Sequence, residues 1–262
     1  ARECIAINAE FGNRRQLVES VTIEAMLQCL LAEFPESKAS FERVRNEARR
    51  SGNVLHEAWG WCGEGEVLFR QGEPAAALRA LERAAEFLRG QTNNTEEVRA
   101  HGIAGIVQWH LGRRDAALAS ARQALDLLAR FTCTTPSTLE GFAGAAETLL
   151  RAWEAGDADA ASPARDACRH MRRYTRTFPI GAPRTERLLG LAAQLSGKPS
   201  QARRCWERSI ASARRLGLDL EFALTLHDAQ RHGLTAGEPW QTWLAEARRW
   251  CAARNIPPFA GT

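Results

Sequence analysis

Arg70-Gln71-Gly72-Glu73-Pro74, His110-Leu111-Gly112-Arg113-Arg114 and Leu195-Ser196-Gly197-Lys198-Pro199 are three versions of one phrase: an apolar helical run, a glycine, and the start of another helix. Glu154-Ala155-Gly156-Asp157 and Thr235-Ala236-Gly237-Glu238-Pro239 extend the set, with Gly233 a rival for the last turn. The spacings from Gly72 to Gly237 are 40, 44, 41 and 40 residues. A fixed period of this size marks a repeat array, in which each unit packs chiefly on its neighbours.

Residues flanking the glycines recur as well. Seven positions before Gly72, Gly112 and Gly197 stand Gly65, Gly105 and Gly190; five after stand Ala77, Ala117 and Ala202; twelve after stand Ala84, Ala124 and Ser209. Antiparallel helices approach closely only where side chains are small, and a turn residue in the left-handed region is cheapest as glycine. Pro74, Pro199 and Pro239 each follow a turn glycine by two residues, where a helix's first turn loses no donor to proline. The other two units are looser. Leu149, Ala161 and Cys168 fill the motif positions around Gly156; Gln230, Thr242 and Arg249 fill them around Gly237. Trp240, Trp243, Ala247 and Trp250 lie at helical spacing and predict a last helix packed on the preceding unit.

Before residue 54, Leu17, Val21, Ile23, Met26, Leu27, Leu30 and Leu31 make one apolar helix face, which Pro35 is expected to end; Phe41, Val44 and Ala48 mark a second helix, closing at Ser51-Gly52-Asn53. The spacing predicts a helical hairpin without motif residues. Irregular segments are expected at Thr132 to Thr138 and Thr175 to Pro183.

This pattern resembles the tetratricopeptide repeat (TPR), which carries an aromatic and then a small residue in helix A, a turn glycine, and two small residues in helix B. Of the positions four before the early small residues, Trp61, His101 and Glu186, only the first is aromatic. The resemblance implies an all-α, right-handed αα-superhelix, a TPR-like solenoid of about six hairpins. It would run as one continuous array: a non-motif N-terminal region at 1–53, then units at about 54–92, 96–131, 137–177, 183–217 and 219–256. It also implies that A helices line a concave groove. Projected onto that groove are Trp59, Cys62, Glu66, Phe69 and Arg70; Arg99, Ile106, Trp109 and His110; Glu147, Leu150, Trp153 and Glu154; Arg184, Arg187, Leu191 and Gln194, with His227 and Arg231 following if Gly233 sets the register. Phe69, Trp109 and Trp153 share one position in successive units. They would form either an aromatic binding column with a charged rim or plugs between neighbouring A helices.

Composition narrows the function classes. The chain is 262 residues with a net charge of +4, an excess too small to indicate nucleic acid. No run of ~18 apolar residues exists to span a membrane. Seven cysteines without a C-x-x-C predict buried free thiols in a reducing cytoplasm rather than a disulfide frame or metal site. The six histidines lack ligand spacing, and Gly63-Glu64-Gly65 lies inside a helical pattern, so it is no nucleotide fingerprint. No cofactor, metal or catalytic residue is expected.

Three readings follow. The phrase Leu189 to Pro199 with Ala202-Arg203-Arg204-Cys205-Trp206 resembles the C-terminal helical repeats of large bacterial signalling ATPases, such as LuxR-type transcription activators and ATPase-linked class III nucleotide cyclases. That resemblance implies a sensor or scaffold segment of a regulatory protein, binding a protein, a peptide or a small effector in the groove and coupled to other domains of its parent chain. A start at Ala1 without an initiator Met fits a piece of a longer protein. The second reading is a free-standing adaptor or chaperone gripping a peptide. The third is a helical enzyme using Glu66, Glu147 and Glu154 as acid and base. A cluster of Arg165, Arg169, His170, Arg172, Arg173 and Arg176, facing Arg203, Arg204, Arg208, Arg214 and Arg215 on the next B helix, reads as a solvated face or as a site for an anionic partner.

Overall fold

In the computed structural model, which describes residues 2–90, 95–130, 135–254 and 256, the described residues form thirteen α-helices and no strand. A single helix, α1 (Arg2–Glu10), precedes six antiparallel pairs: α2 (Arg14–Leu30) with α3 (Phe34–Ser51), α4 (Val54–Arg70) with α5 (Pro74–Leu88), α6 (Thr95–His110) with α7 (Arg114–Arg130), α8 (Leu139–Glu154) with α9 (Ala161–Thr177), α10 (Ala182–Leu195) with α11 (Pro199–Leu216), and α12 (Asp219–Arg231) with α13 (Trp240–Ala253). Each pair packs on the next, so the chain is a TPR-like α-solenoid.

The turns explain the period. At Gly72 the backbone N–H reaches back to the Phe69 carbonyl (3.0 Å) and the N–H of Glu73 to that of Leu68 (2.9 Å). This is the paired-bond helix stop that a left-handed residue closes. The same two bonds recur at Gly112, Gly156, Gly197 and Gly233. Gly233, not Gly237, is therefore the last turn of the series, and the final interval is shortened. The N-terminal hairpin also carries the motif, with Ala32 holding the positive φ (59°) in place of glycine. Counting from Ala32, the small positions are Ala25 and Ser37, both closed to solvent. Pro35 opens α3 rather than ending α2.

The small residues do what their spacing predicts. Ala77, Ala117, Ala202, Ala84, Ala124 and Ser209 are fully buried. Gly190 makes room for the Trp206 indole, whose Nε1 donates to the Arg187 carbonyl at 3.0 Å. In the fourth pair a 3-10 turn at Ala158–Ala160 delays α9. The buried equivalent of Ala77 is consequently Ala164, and Ala161 stays partly exposed. Further 3-10 turns at Pro136–Thr138 and Pro179–Gly181 fall within the two segments expected to be irregular, of which residues 132–134 lie outside the described residues. Cys29, Cys62, Cys168, Cys205 and Cys251 are buried free thiols; Cys4 is exposed, and Cys133 lies outside the described residues.

One contact has almost no side chain in it. Gly102 of α6 meets Gly141 and Gly144 of α8, and a Cβ on any of the three would collide with opposing backbone. The tight seam draws the inner faces of the A helices together. Met26 and Leu30 of α2 join Val98 of α6 and Leu139 and Phe142 of α8 in one buried cluster. Gly141→Ala is expected to cost about 1–3 kcal/mol through overpacking against backbone. Urea unfolding measures it, and an unchanged midpoint would show that the seam can open freely.

Candidate functional site

The inner side of the stack is occupied by charge. Arg99 on α6 pairs with Glu66 on α4 (2.9 Å) and with Glu96 one turn away (3.1 Å). Arg184 on α10 reaches Glu140 on α8 (2.8 Å) and Glu221 on α12 (2.7 Å). Arg70 on α4 meets the same Glu140 at 2.6 Å. A second run joins Arg187 to Glu147 (2.6 Å) and Asp228 (2.9 Å), Arg151 to Asp228 (2.7 Å) and Glu154 (3.0 Å), and Arg231 to Glu154 (3.1 Å). Arg99, Arg184, Arg187 and Asp228 are at most 2% exposed. No open groove exists at these positions.

Burial alone would raise the Glu140 carboxyl, but Arg184 and Arg70 hold it at about 2. Burial likewise opposes ionisation of Glu154, yet the His232 contact and Arg151 bring it to about 2. Glu147 and Asp228 are held low in the same way, against their burial, by Arg187 and Arg151. Glu66 differs: burial, with Glu140 nearby, pushes it up despite Arg99. At 1% exposure it has no route to a substrate, and ionised Glu147 and Glu154 hold no proton to donate near neutral pH.

The residues expected to line a groove therefore separate into two sets. Glu66, Arg99, Arg184 and Arg187 are interior ion-pair members, as are the less deeply buried Arg70 and Glu147. The expectation of an open charged surface is corrected here: arginines and carboxylates on neighbouring A helices pair with each other, α4 with α6, α8 with α10 and α10 with α12. The second set lies partly exposed. Trp59 lies tilted against His56 (4.4 Å) and packs near Val18, Val21 and Val44. Phe69 meets His110 edge-on (5.0 Å). Trp109 lies under Arg114 (3.6 Å), and Trp153 under Arg165 (4.6 Å). Phe69 thus takes its partner from the end of the next A helix, and Trp109 and Trp153 take theirs from the B helix that follows each.

A concavity does exist, on the other side of α6. A cleft of about 480 Å³ lies between α5 and α7 with α6 as its floor. Leu78, Leu81, Leu88, Ala100 and Ala104 supply apolar wall; Glu97, His101, Gln108 and Ser120 supply polar groups. Ser120 and Gln108 bond to each other at 2.8 Å. Burial pushes Glu97 up and His101 down, so the imidazole is neutral at pH 7. Volume and lining are those of a small-ligand or peptide site. Projection onto an inner groove missed this cleft. No sequence signal marks it: His101 holds the position that Trp61 fills in the preceding unit, yet a concavity of about 590 Å³ lies beside Trp61 as well.

Comparison with known proteins adds little. No family model and no curated protein matches the chain. Solved structures similar to it include a crystal structure of a MamA protein, at 13% identity and a TM-score of 0.37, covering 78% of this chain and 94% of that one.

Two measurements test the ion pairs. Arg187→Met would leave Glu147 and Asp228 facing an apolar side chain, and a loss of about 3–5 kcal/mol is expected in denaturant unfolding. The second concerns pH. Glu140 and Glu154 titrate near 2 when folded and near 4.3 when unfolded. Their contribution is full above the unfolded value and disappears as pH falls towards 2. The melting temperature should fall across that interval, and more shallowly in Glu154→Gln; parallel curves for the two proteins would exclude Glu154 from the effect.

Proposed function

We propose that the chain is a binding scaffold, a sensor or docking segment of a larger bacterial signalling or transcription-regulatory protein, with no catalysis of its own. Its TPR-like stack gives a platform, and the observation that carries the reading is the α5–α6–α7 cleft, an apolar concavity with Glu97 and His101 in its lining. The occupant is a protein segment or peptide, or a small effector of similar bulk. The parent context rests on the resemblance of the Leu189 to Pro199 phrase to helical repeats of signalling ATPases. Among the described residues no helix is long and apolar enough to cross a membrane.

Ala85 lines the cleft and is exposed, so Ala85→Trp fills it without entering the core. Peptides selected from a displayed library on the wild-type chain should lose at least tenfold in affinity for Ala85→Trp, with thermal stability unchanged. Selected peptides that bind both forms equally would place the binding surface elsewhere.

A further inference from the structure

The outer face carries a charge gradient. Helices α9 and α11 each hold five arginines against one acidic residue, a formal +4 apiece, in a chain whose total is +4. The B helix α5 balances two arginines with two glutamates. All ten arginines of α9 and α11 are exposed. Four have an acidic partner: Arg169 with Asp166, Arg203 with Glu207 (3.1 Å), Arg208 with Glu186 (2.7 Å) and Arg214 with Glu246 (2.6 Å). Arg165 lies over Trp153, while among the described residues Arg172, Arg173, Arg176, Arg204 and Arg215 have no acidic partner.

Helix-dipole compensation accounts for Arg176, Arg214 and Arg215, which stand in last turns. It does not account for those further upstream. Arg165, Arg169, Arg172, Arg173 and Arg176 fall at intervals of three, four or one along α9 and make one stripe. Arginines four apart are separated by about 6 Å along a helix. Carboxylates on alternate residues of an extended chain are about 6.7 Å apart, so one segment can meet several of them.

We infer that the outer face of α9 and α11 docks an acidic, flexible polypeptide segment. Charge complementarity and spacing favour it, and two observations favour it over nucleic acid. The aromatic rings within these two helices, Tyr174 and Trp206, are buried, so the helices present no row of rings on which successive single-stranded bases could stack. The face is the outside of a solenoid, and a duplex with a persistence length of about 150 base pairs follows such a surface over only a short length, whereas a flexible chain drapes along it.

Fluorescence anisotropy with a labelled oligoglutamate peptide tests this. Binding is expected at low salt, and replacing Arg169, Arg172 and Arg173 together by Glu should weaken it at least tenfold, with helicity and melting temperature retained. Arg79→Glu with Arg122→Glu, on other B helices, should leave it within about twofold. Ala85→Trp should bind the peptide normally, which separates this face from the cleft. No binding at about 50 mM salt, equal binding by the charge-reversed and wild-type forms, or tighter binding of a short DNA duplex than of the peptide would each overturn the proposal.

Discussion

Everything about the inner side of this stack depends on arginines and carboxylates that have left water together. Removing an ion from water costs several kcal/mol, and only close, multiply bonded geometry offsets it. Arg184 meets Glu140 and Glu221 from one guanidinium, and Arg187 meets Glu147 and Asp228. Such a set tolerates little displacement of its helices, since moving one element strands several charges at once. The glycine seam at Gly102, Gly141 and Gly144 holds α6 against α8; the ion pairs join α4 to α6, α8 to α10 and α10 to α12 on either side of it.

The fold was legible where chemistry allows few substitutes. Turn glycines, the small residues at fixed offsets, and prolines opening α5 and α11 all have steric causes that survive in a single sequence. Three features were hidden for equally physical reasons. Ala32 adopts a left-handed conformation normally left to glycine, so the first hairpin showed no turn signal. The short 3-10 turn before α9 moved the motif by one helical turn, and several residues there are small enough to fit either register. Gly237 mimicked a turn that Gly233 makes.

The site was less legible than the fold because charge does not announce its environment. Arg99 and Arg172 have the same side chain, yet one is closed to solvent and the other exposed. What separates them is whether a carboxylate on the neighbouring A helix lies at the matching height, a tertiary fact. The aromatic column was open to two readings for a related reason. Phe69, Trp109 and Trp153 do share a sequence position, but His110, Arg114 and Arg165 cover them individually. The cleft gave no sequence signal of its own, because a concavity depends on how neighbouring helices splay, which is a tertiary property.

The ion pairs also change what kind of object the repeat array is. In a solenoid held by contacts between adjacent units, stability is a sum over units and their junctions, and such a stack can fray from its ends or be shortened by a unit. Arg70 on α4 bonds Glu140 on α8, and Arg151 on α8 bonds Asp228 on α12; each bond passes over the intervening A helix. Removing one hairpin therefore strips ion-pair partners from a hairpin two places along the chain as well as from its immediate neighbour. The array has given up modularity for cooperativity, and it can be lost as a whole more easily than it can be trimmed.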